Sequence, residues 1–334
     1  MPFLSPDQRR ALSAVGQALI PVPVQRWLQQ RYVYNPTIQR LGLSVETPPL
    51  FDTVFFEVRT RCNGHCSFCA ASVENDTRPD VSMTAETHEK VLREVAAQGF
   101  RGRVAYHNNS DPLIFRELPQ FVAKAREILP ASPVQILTNG RALTLDKITA
   151  LLNAGIFELS VNHYGATTTG PVPKVLLDVA DQLLPRFFAA EDLDIIGLGP
   201  ERDRQSKQPK FRYLVERRLE NDVLTSRAGT SPNKQTPSPA PRGFCYFPWT
   251  QLIVSADGRV PMCCCDLNIR RSVGNAIEQP VMDIWHGAPY RAIREALWRG
   301  DRQAIEETCR HCDFYGVKRL PDSVAARVVH LLTS

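Results

Sequence analysis

The residues in this 334-residue chain best suited to chemistry are its nine cysteines. Cys62, Cys66 and Cys69 fall in one short run, Cys62-Asn-Gly-His-Cys66-Ser-Phe-Cys69, directly after a β-rich segment. Three thiolates at C-x3-C-x2-C spacing can ligate three corners of an iron–sulfur cube, leaving the fourth iron without a protein ligand. Zinc with His65 as fourth ligand is the competing reading, but zinc sites rarely use so compact a run. A second group follows after a long cysteine-free stretch: Cys245, Cys263, Cys264, Cys265, Cys309 and Cys312.

In that second group, Asp257-Gly258 is a hairpin signal between the runs at 251–256 and 259–262. Such a hairpin brings Cys245 and Cys263 to its open end, and the turn of Cys309-x2-Cys312 offers two more thiolates. Four converging thiolates suit zinc and iron–sulfur equally well. The odd count excludes a complete set of internal disulfides. The apolar run from Ala11 to Ile20 is broken by Pro21, Pro23 and Arg26, so no membrane span is expected. A cytoplasmic setting follows, where thiols stay reduced. The net charge of +5 is too thinly spread to argue for nucleic acid.

The elements that must hold these thiols alternate. Strands are expected at 52–58, 103–107, 134–138, 156–161, 211–216 and 222–227. Between them, Thr84 caps a helix whose buried face is His88, Val91, Leu92 and Val95. A second helix carries Leu118, Phe121, Val122, Ala125 and Ile128, Thr144 caps a third, and Pro173 opens a fourth. Strand–helix alternation means a parallel sheet with ligands at the carboxyl ends of the strands. The expected organisation is a helical extension over 1–50, the α/β unit over 51–228, a Pro-rich linker or loop over 229–242, a cysteine-rich unit over 243–318 and a C-terminal helix over 319–334.

The trio, with Phe68 before its third cysteine, resembles the defining motif of the radical SAM superfamily. The resemblance implies a partial (β/α)6 barrel, a [4Fe–4S] cluster on Cys62, Cys66 and Cys69, and S-adenosylmethionine bound at the open iron. Reductive cleavage of that cofactor then gives a 5′-deoxyadenosyl radical that abstracts a substrate hydrogen. It also implies cofactor contacts from Phe68, from Asn109-Ser110-Asp111-Pro112 in place of the family's Gly-Gly-Glu-Pro, from Asn139, and from Ser160 and Asn162. Asp111 keeps a carboxylate there, but both glycines are gone.

Residues 243–315 resemble the SPASM/twitch extension of that family, through the Asp-Gly turn, Gly274-Asn275, Ile284-Trp285, Tyr290, Arg294 and the closing C-x2-C. This implies a second, auxiliary [4Fe–4S] cluster on Cys245, Cys263, Cys309 and Cys312. Cys264 and Cys265 remain. They read either as buried small hydrophobes, with Cys264 able to exchange with Cys263, or as a hydrogen-atom donor to a substrate radical. The expected activity is dehydrogenation of a small molecule such as a sugar or aminocyclitol, with flavodoxin or ferredoxin as reducing partner. The alternatives are a radical epimerase or peptide-modifying enzyme and, more remotely, an iron–sulfur electron carrier. His107, His163 and Tyr164, at strand ends, are the candidates for a general base.

Overall fold

The computed structural model describes residues 6–199, 202–203, 206–223, 225–234, 243–305, 308–317 and 319–333. Its centre is an open sheet of seven parallel strands: β1 (Thr53–Phe56), β2 (Arg103–Tyr106), β3 (Val134–Thr138), β4 (Glu158–Gly165), β5 (Leu193–Ile196), β6 (Phe211–Leu219) and β7 (Gln251–Val254). They lie side by side in the order β5-β6-β4-β3-β2-β1-β7. A separate antiparallel pair joins β8 (Arg259–Pro261) to β9 (Ser272–Asn275).

Side chains alternate across each strand. One face (Val54 and Phe56, Val104 and Tyr106, Val134 and Ile136, Leu159 and Val161) is fully buried. Helices Ala85–Ala97 and Leu118–Ile128 pack on it: His88 Nε2 meets the Tyr106 hydroxyl at 2.8 Å, and that hydroxyl donates to the Phe121 carbonyl at 2.9 Å. The opposite face carries His107, Leu137, Asn162 and Tyr164 at or near the strand ends, where they line one cavity. The helix signals hold. Thr84 accepts from Thr87 N–H, Thr144 caps Leu145–Asn153 by accepting from Lys147 N–H, and the helix after Pro173 runs Lys174–Asp178 before a π-helical turn over Val179–Leu183.

Three expectations change. The run 222–227 is not a strand in its described residues; it leads into a turn in which Arg227 and Ala228 have φ of 44° and 57°. β5, a four-residue edge strand, and β7 were not among the six expected strands, and they bring the sheet to seven. The run 251–256 was expected to be a hairpin limb. The Asp257-Gly258 turn does form, with Gly258 at φ 82° and Ser255 N–H donating to the Arg259 carbonyl. But β7 pairs in parallel with β1 (Thr53 with Gln251, Phe56 with Val254), and β8 turns away to β9. All four β7 residues are buried. A strand covered on both faces belongs inside a parallel sheet, and here it closes the edge that β1 would otherwise leave bare.

The N-terminal helices Pro6–Leu19 and Val22–Gln29 and the π-helical turn Gln30–Tyr34 are packed with the C-terminal helix Val324–Thr333. Gln29 Nε2 donates to the Thr333 carbonyl and hydroxyl, both at 3.0 Å, and a Cβ on Gly16 would lie 2.3 Å from the Leu332 carbonyl oxygen. Of the expected linker over 229–242, residues 235–242 lie outside the described residues. No helix among the described residues is long and apolar enough to cross a membrane. Thr84→Ala removes the cap that starts the first helix over the sheet, and is expected to cost about 1 kcal/mol, read as a lower urea midpoint at unchanged slope.

Candidate functional site

The thiol trio is held at the carboxyl end of β1 by a buried ion network. Arg78 donates to the Glu57 carboxylate at 2.9 Å, to Asp76 at 3.0 Å, and to the Thr60 and Asn109 carbonyls at 3.0 and 3.1 Å. Ser255, just past β7, donates to the second Glu57 oxygen at 2.7 Å. Burial pushes the Glu57 carboxyl upward, and Arg78 and Ser255 pull it back. One guanidinium therefore ties the ends of β1 and β2 to the loop that carries the cysteines.

Within the loop, Cys62 Sγ accepts from Gly64 N–H and from Asn139 Nδ2, each at 3.4 Å. Burial raises the Cys62 thiol to about 11, and burial with neighbouring Cys69 raises Cys66, against the pull of Arg141. These thiols become thiolates when a metal takes the proton's place. A Cβ on Gly64 would lie 3.5 Å from Cys62 Sγ and 3.7 Å from Cys66 Sγ, so the missing side chain keeps the space beside both sulfurs clear. His65 points elsewhere, paired with Glu74 in a largely exposed ion pair. The trio thus fits a cluster with three protein ligands rather than a zinc site closed by His65.

Facing the trio is a cavity of about 780 Å3, including its open mouth, lined by the three cysteines, Phe68, Asn109, Ser110, Asp111, Asn139, Asn162, Tyr164 and Arg227 among others. Of the residues expected to touch a cofactor, Pro112 and Ser160 are not on this wall; the Ser160 hydroxyl donates to Glu158 at 3.0 Å. Asp111 lines the wall but is heavily engaged. Its carboxylate accepts from the Thr138 hydroxyl at 2.8 Å, Asn139 N–H at 2.7 Å and Leu113 N–H at 3.0 Å. It thereby braces β3 against the β2 loop. Ser110 Oγ is buried without a hydrogen-bond partner and belongs to the same wall. That is the condition expected of a group reserved for a ligand. The Phe68 ring packs on Tyr164 at 5.3 Å, and burial raises the Tyr164 phenol to about 12. His107 also lines the cavity. His163 faces Arg141 and Arg217, which together with burial lower its pKa.

Arg227 was not expected. Its guanidinium donates to Asn109 Oδ1 at 2.5 Å and to the Cys264 carbonyl at 3.0 Å, spanning from the cavity to the second cysteine group. Burial alone would lower its pKa, but the surrounding Cys265, Cys264, Cys69 and Cys263 favour the charged form. Its turn is pinned from below: Ser226 N–H donates to Asp313 at 2.7 Å and Ser226 Oγ to the His311 carbonyl at 2.7 Å. The only signal in the sequence was a Ser-Arg-Ala-Gly run, turn-like at its end.

The second group surrounds its own space of about 330 Å3, open solvent included, lined by Cys245, Cys263, Cys265, Cys309 and Cys312 among others. The four expected ligands do converge, and Cys265 is with them; Cys264 is on neither wall. Burial raises Cys245 to about 12, and raises Cys309 as well. Arg302, 1% exposed, stands beside them and donates to the Gly243, Phe314 and Phe244 carbonyls at 3.0, 2.6 and 2.8 Å. A set of buried thiols with a resident cation suits a closed, anionic iron–sulfur centre. The Trp285, Tyr290 and Arg294 motif residues serve packing. Arg294 lies 4.2 Å over the Trp285 ring and 4.8 Å over Tyr290, and donates to the Trp285 carbonyl at 2.6 Å.

Two family models match the chain: Radical SAM superfamily over residues 56–180, and SPASM, an iron-sulfur cluster-binding domain, over residues 245–313. Together they cover more than half of it. Among curated proteins, the chain is similar to the S-adenosyl-L-methionine-dependent 2-deoxy-scyllo-inosamine dehydrogenase of Niallia circulans, with 27% identity over 270 residues, 80% of this chain and 95% of that one. Among solved structures it is similar to BtrN in complex with AdoMet and 2-DOIA, at 26% identity and TM-score 0.62, covering 83% of this chain and 98% of that one. BtrN in an open conformation shares the fold at 22% identity and TM-score 0.55, covering 81% and 96%.

Gly64→Val fills the space beside Cys62 and Cys66. Iron is expected to fall from about eight to about four per chain, the content of one remaining [4Fe–4S] cluster, in iron and sulfide analysis of anaerobically reconstituted protein. Arg78→Met strands the buried Glu57 carboxylate without its cation, at an expected cost of about 3–5 kcal/mol, measured as a lowered denaturation midpoint.

Proposed function

The chain belongs to the radical SAM superfamily with a C-terminal SPASM-type iron–sulfur domain, and from that premise we propose that it dehydrogenates a secondary alcohol of a small polyol of the aminocyclitol class. The observation that carries this reading is one cavity with the thiol trio and Arg227 on its wall, the arginine also bound to the Cys264 carbonyl of the second cysteine run. Similarity along nearly the whole of a dehydrogenase that acts on 2-deoxy-scyllo-inosamine supports the substrate class. When bound, the two clusters and S-adenosylmethionine supply a 5′-deoxyadenosyl radical to take a hydrogen from carbon and an acceptor for the electron left behind, while the hydroxyl proton passes to the His107 imidazole on the same wall.

The chain's own residues do the rest. Cys62, Cys66 and Cys69 hold the first cluster, with Gly64 N–H and the Asn139 amide directed at the Cys62 sulfur. Ser110, Asn109 and Asn162 offer polar contacts to S-adenosylmethionine, and the Phe68–Tyr164 pair forms an aromatic wall that keeps water from the reacting centre. Arg227, anchored on Asn109 and on the Cys264 carbonyl, holds the substrate hydroxyl by charge-assisted hydrogen bonding. Cys245, Cys309 and Cys312, with one further thiol at residue 263, hold the auxiliary cluster. The placement of Cys265 in the auxiliary space rather than on the substrate cavity favours dehydrogenation over an epimerase with a thiol hydrogen donor. The reductant in this reading is a flavodoxin or ferredoxin. The setting is the cytoplasm, where nine free thiols stay reduced.

Under anaerobic conditions with a reductant and S-adenosylmethionine, 5′-deoxyadenosine is expected, and Cys62→Ala abolishes it. With carbon-deuterated 2-deoxy-scyllo-inosamine as first probe, deuterium should pass to 5′-deoxyadenosine and the product should be a ketone. A product of unchanged oxidation state that carries solvent deuterium would favour the epimerase instead. Arg227→Met is expected to lower ketone formation at least 100-fold while substrate-independent cleavage of S-adenosylmethionine persists.

A further inference from the structure

The auxiliary space is ringed by one cysteine more than a cube can use. Three sulfurs come from separate positions that do not compete: Cys245 before the short helix Phe247–Thr250, and Cys309 and Cys312 from a turn closed by Cys312 N–H on the Cys309 carbonyl. The remaining two, Cys263 and Cys265, come from one tight turn, closed by Asp266 N–H on the Cys263 carbonyl at 3.2 Å and braced by Asp266 accepting from Arg270 and Arg271 N–H. Residues two apart on this turn send both side chains to the same space. Both are 8% exposed, and both line the space together with Cys312. Cys264, between them, does not line the space, and its carbonyl is taken up by Arg227.

We infer that Cys263 and Cys265 are alternative ligands for one corner of the auxiliary cluster, so that either can complete the site with Cys245, Cys309 and Cys312. This rests on the auxiliary-cluster reading above and goes beyond it in giving the site five working thiols. The thiol that is not ligating remains against the cluster as a hydrogen-bond donor to a ligating sulfur, a contact of the kind that tunes iron–sulfur potentials.

The test counts iron and acid-labile sulfide in the full-length protein after anaerobic reconstitution, in a Cys62→Ala/Cys66→Ala/Cys69→Ala background that leaves the auxiliary site alone. That background is expected to hold about four irons per chain, the content of a single cube. Adding Cys263→Ala or Cys265→Ala should leave iron unchanged but alter the electron paramagnetic resonance of the reduced cluster. Adding both should abolish the iron, and adding Cys264→Ala should change neither. Loss of iron on Cys263→Ala alone, or on Cys264→Ala, overturns the inference, as does retention in the double variant. No iron in the background itself overturns the auxiliary-cluster reading, and this inference with it. Cys→Val versions, which fill the side-chain volume and offer iron no ligand, give the same readout if an alanine variant does not fold.

Discussion

Everything at the first site depends on the Arg78 guanidinium. Taking a guanidinium and two carboxylates out of water is costly, and the cost is offset only if every donor finds an acceptor at good geometry. Arg78 meets that condition by drawing on Glu57, Asp76, Thr60 and Asn109, which belong to three separate stretches of chain. The thiol loop has little regular structure of its own. Its position relative to the β2 end, and hence the distance from thiols to cavity wall, is set by this one buried cation. Asp111 does the same a strand further along, tying the β2 loop to the end of β3. The motif loops are short and irregular, and buried polar networks keep them from being loose.

Much of this was legible in the sequence, and the reason is locality. The trio, the Thr84 and Thr144 caps, the Pro173 start and the alternating strands are each written within a few neighbouring residues, and the structure follows them. The misses are non-local. Glu57 and Arg78 are 21 residues apart, and nothing near either one announces the pair. β7 carries a turn signal that is real, yet the strand is drawn to the bare edge of β1, a partner some two hundred residues earlier in the chain. Arg227 was hidden because a non-glycine residue at positive φ has no reliable local signature, and its run also reads as a strand. Cys265 was one of three adjacent cysteines, and only the turn geometry shows which of them share a face.

Charge is arranged in a consistent way around the two thiol groups. Arg302 neutralises the closed centre from within, through a guanidinium committed to three backbone carbonyls. Arg227 lies between the two groups, with one donor on the Asn109 side chain and another contact on the Cys264 carbonyl. The mild overall charge of the chain gives no hint of this. What matters is that two arginines are buried where thiolates gather, and that the carboxylates nearby, Glu57 and Asp111, are already satisfied by other donors.

The place of β7 in the main sheet has a consequence for electron flow. The thiol trio follows β1, and β7, its hydrogen-bonded neighbour running in the same direction, stands between Cys245 before it and Cys263, which comes after the β8 arm. The gap between the two thiol groups is therefore bridged by a backbone ladder rather than by the docking of one mobile body on another. Such a gap does not widen when a loop opens to admit substrate. A molecule built this way can let its mouth breathe while the two thiol groups stay at constant separation.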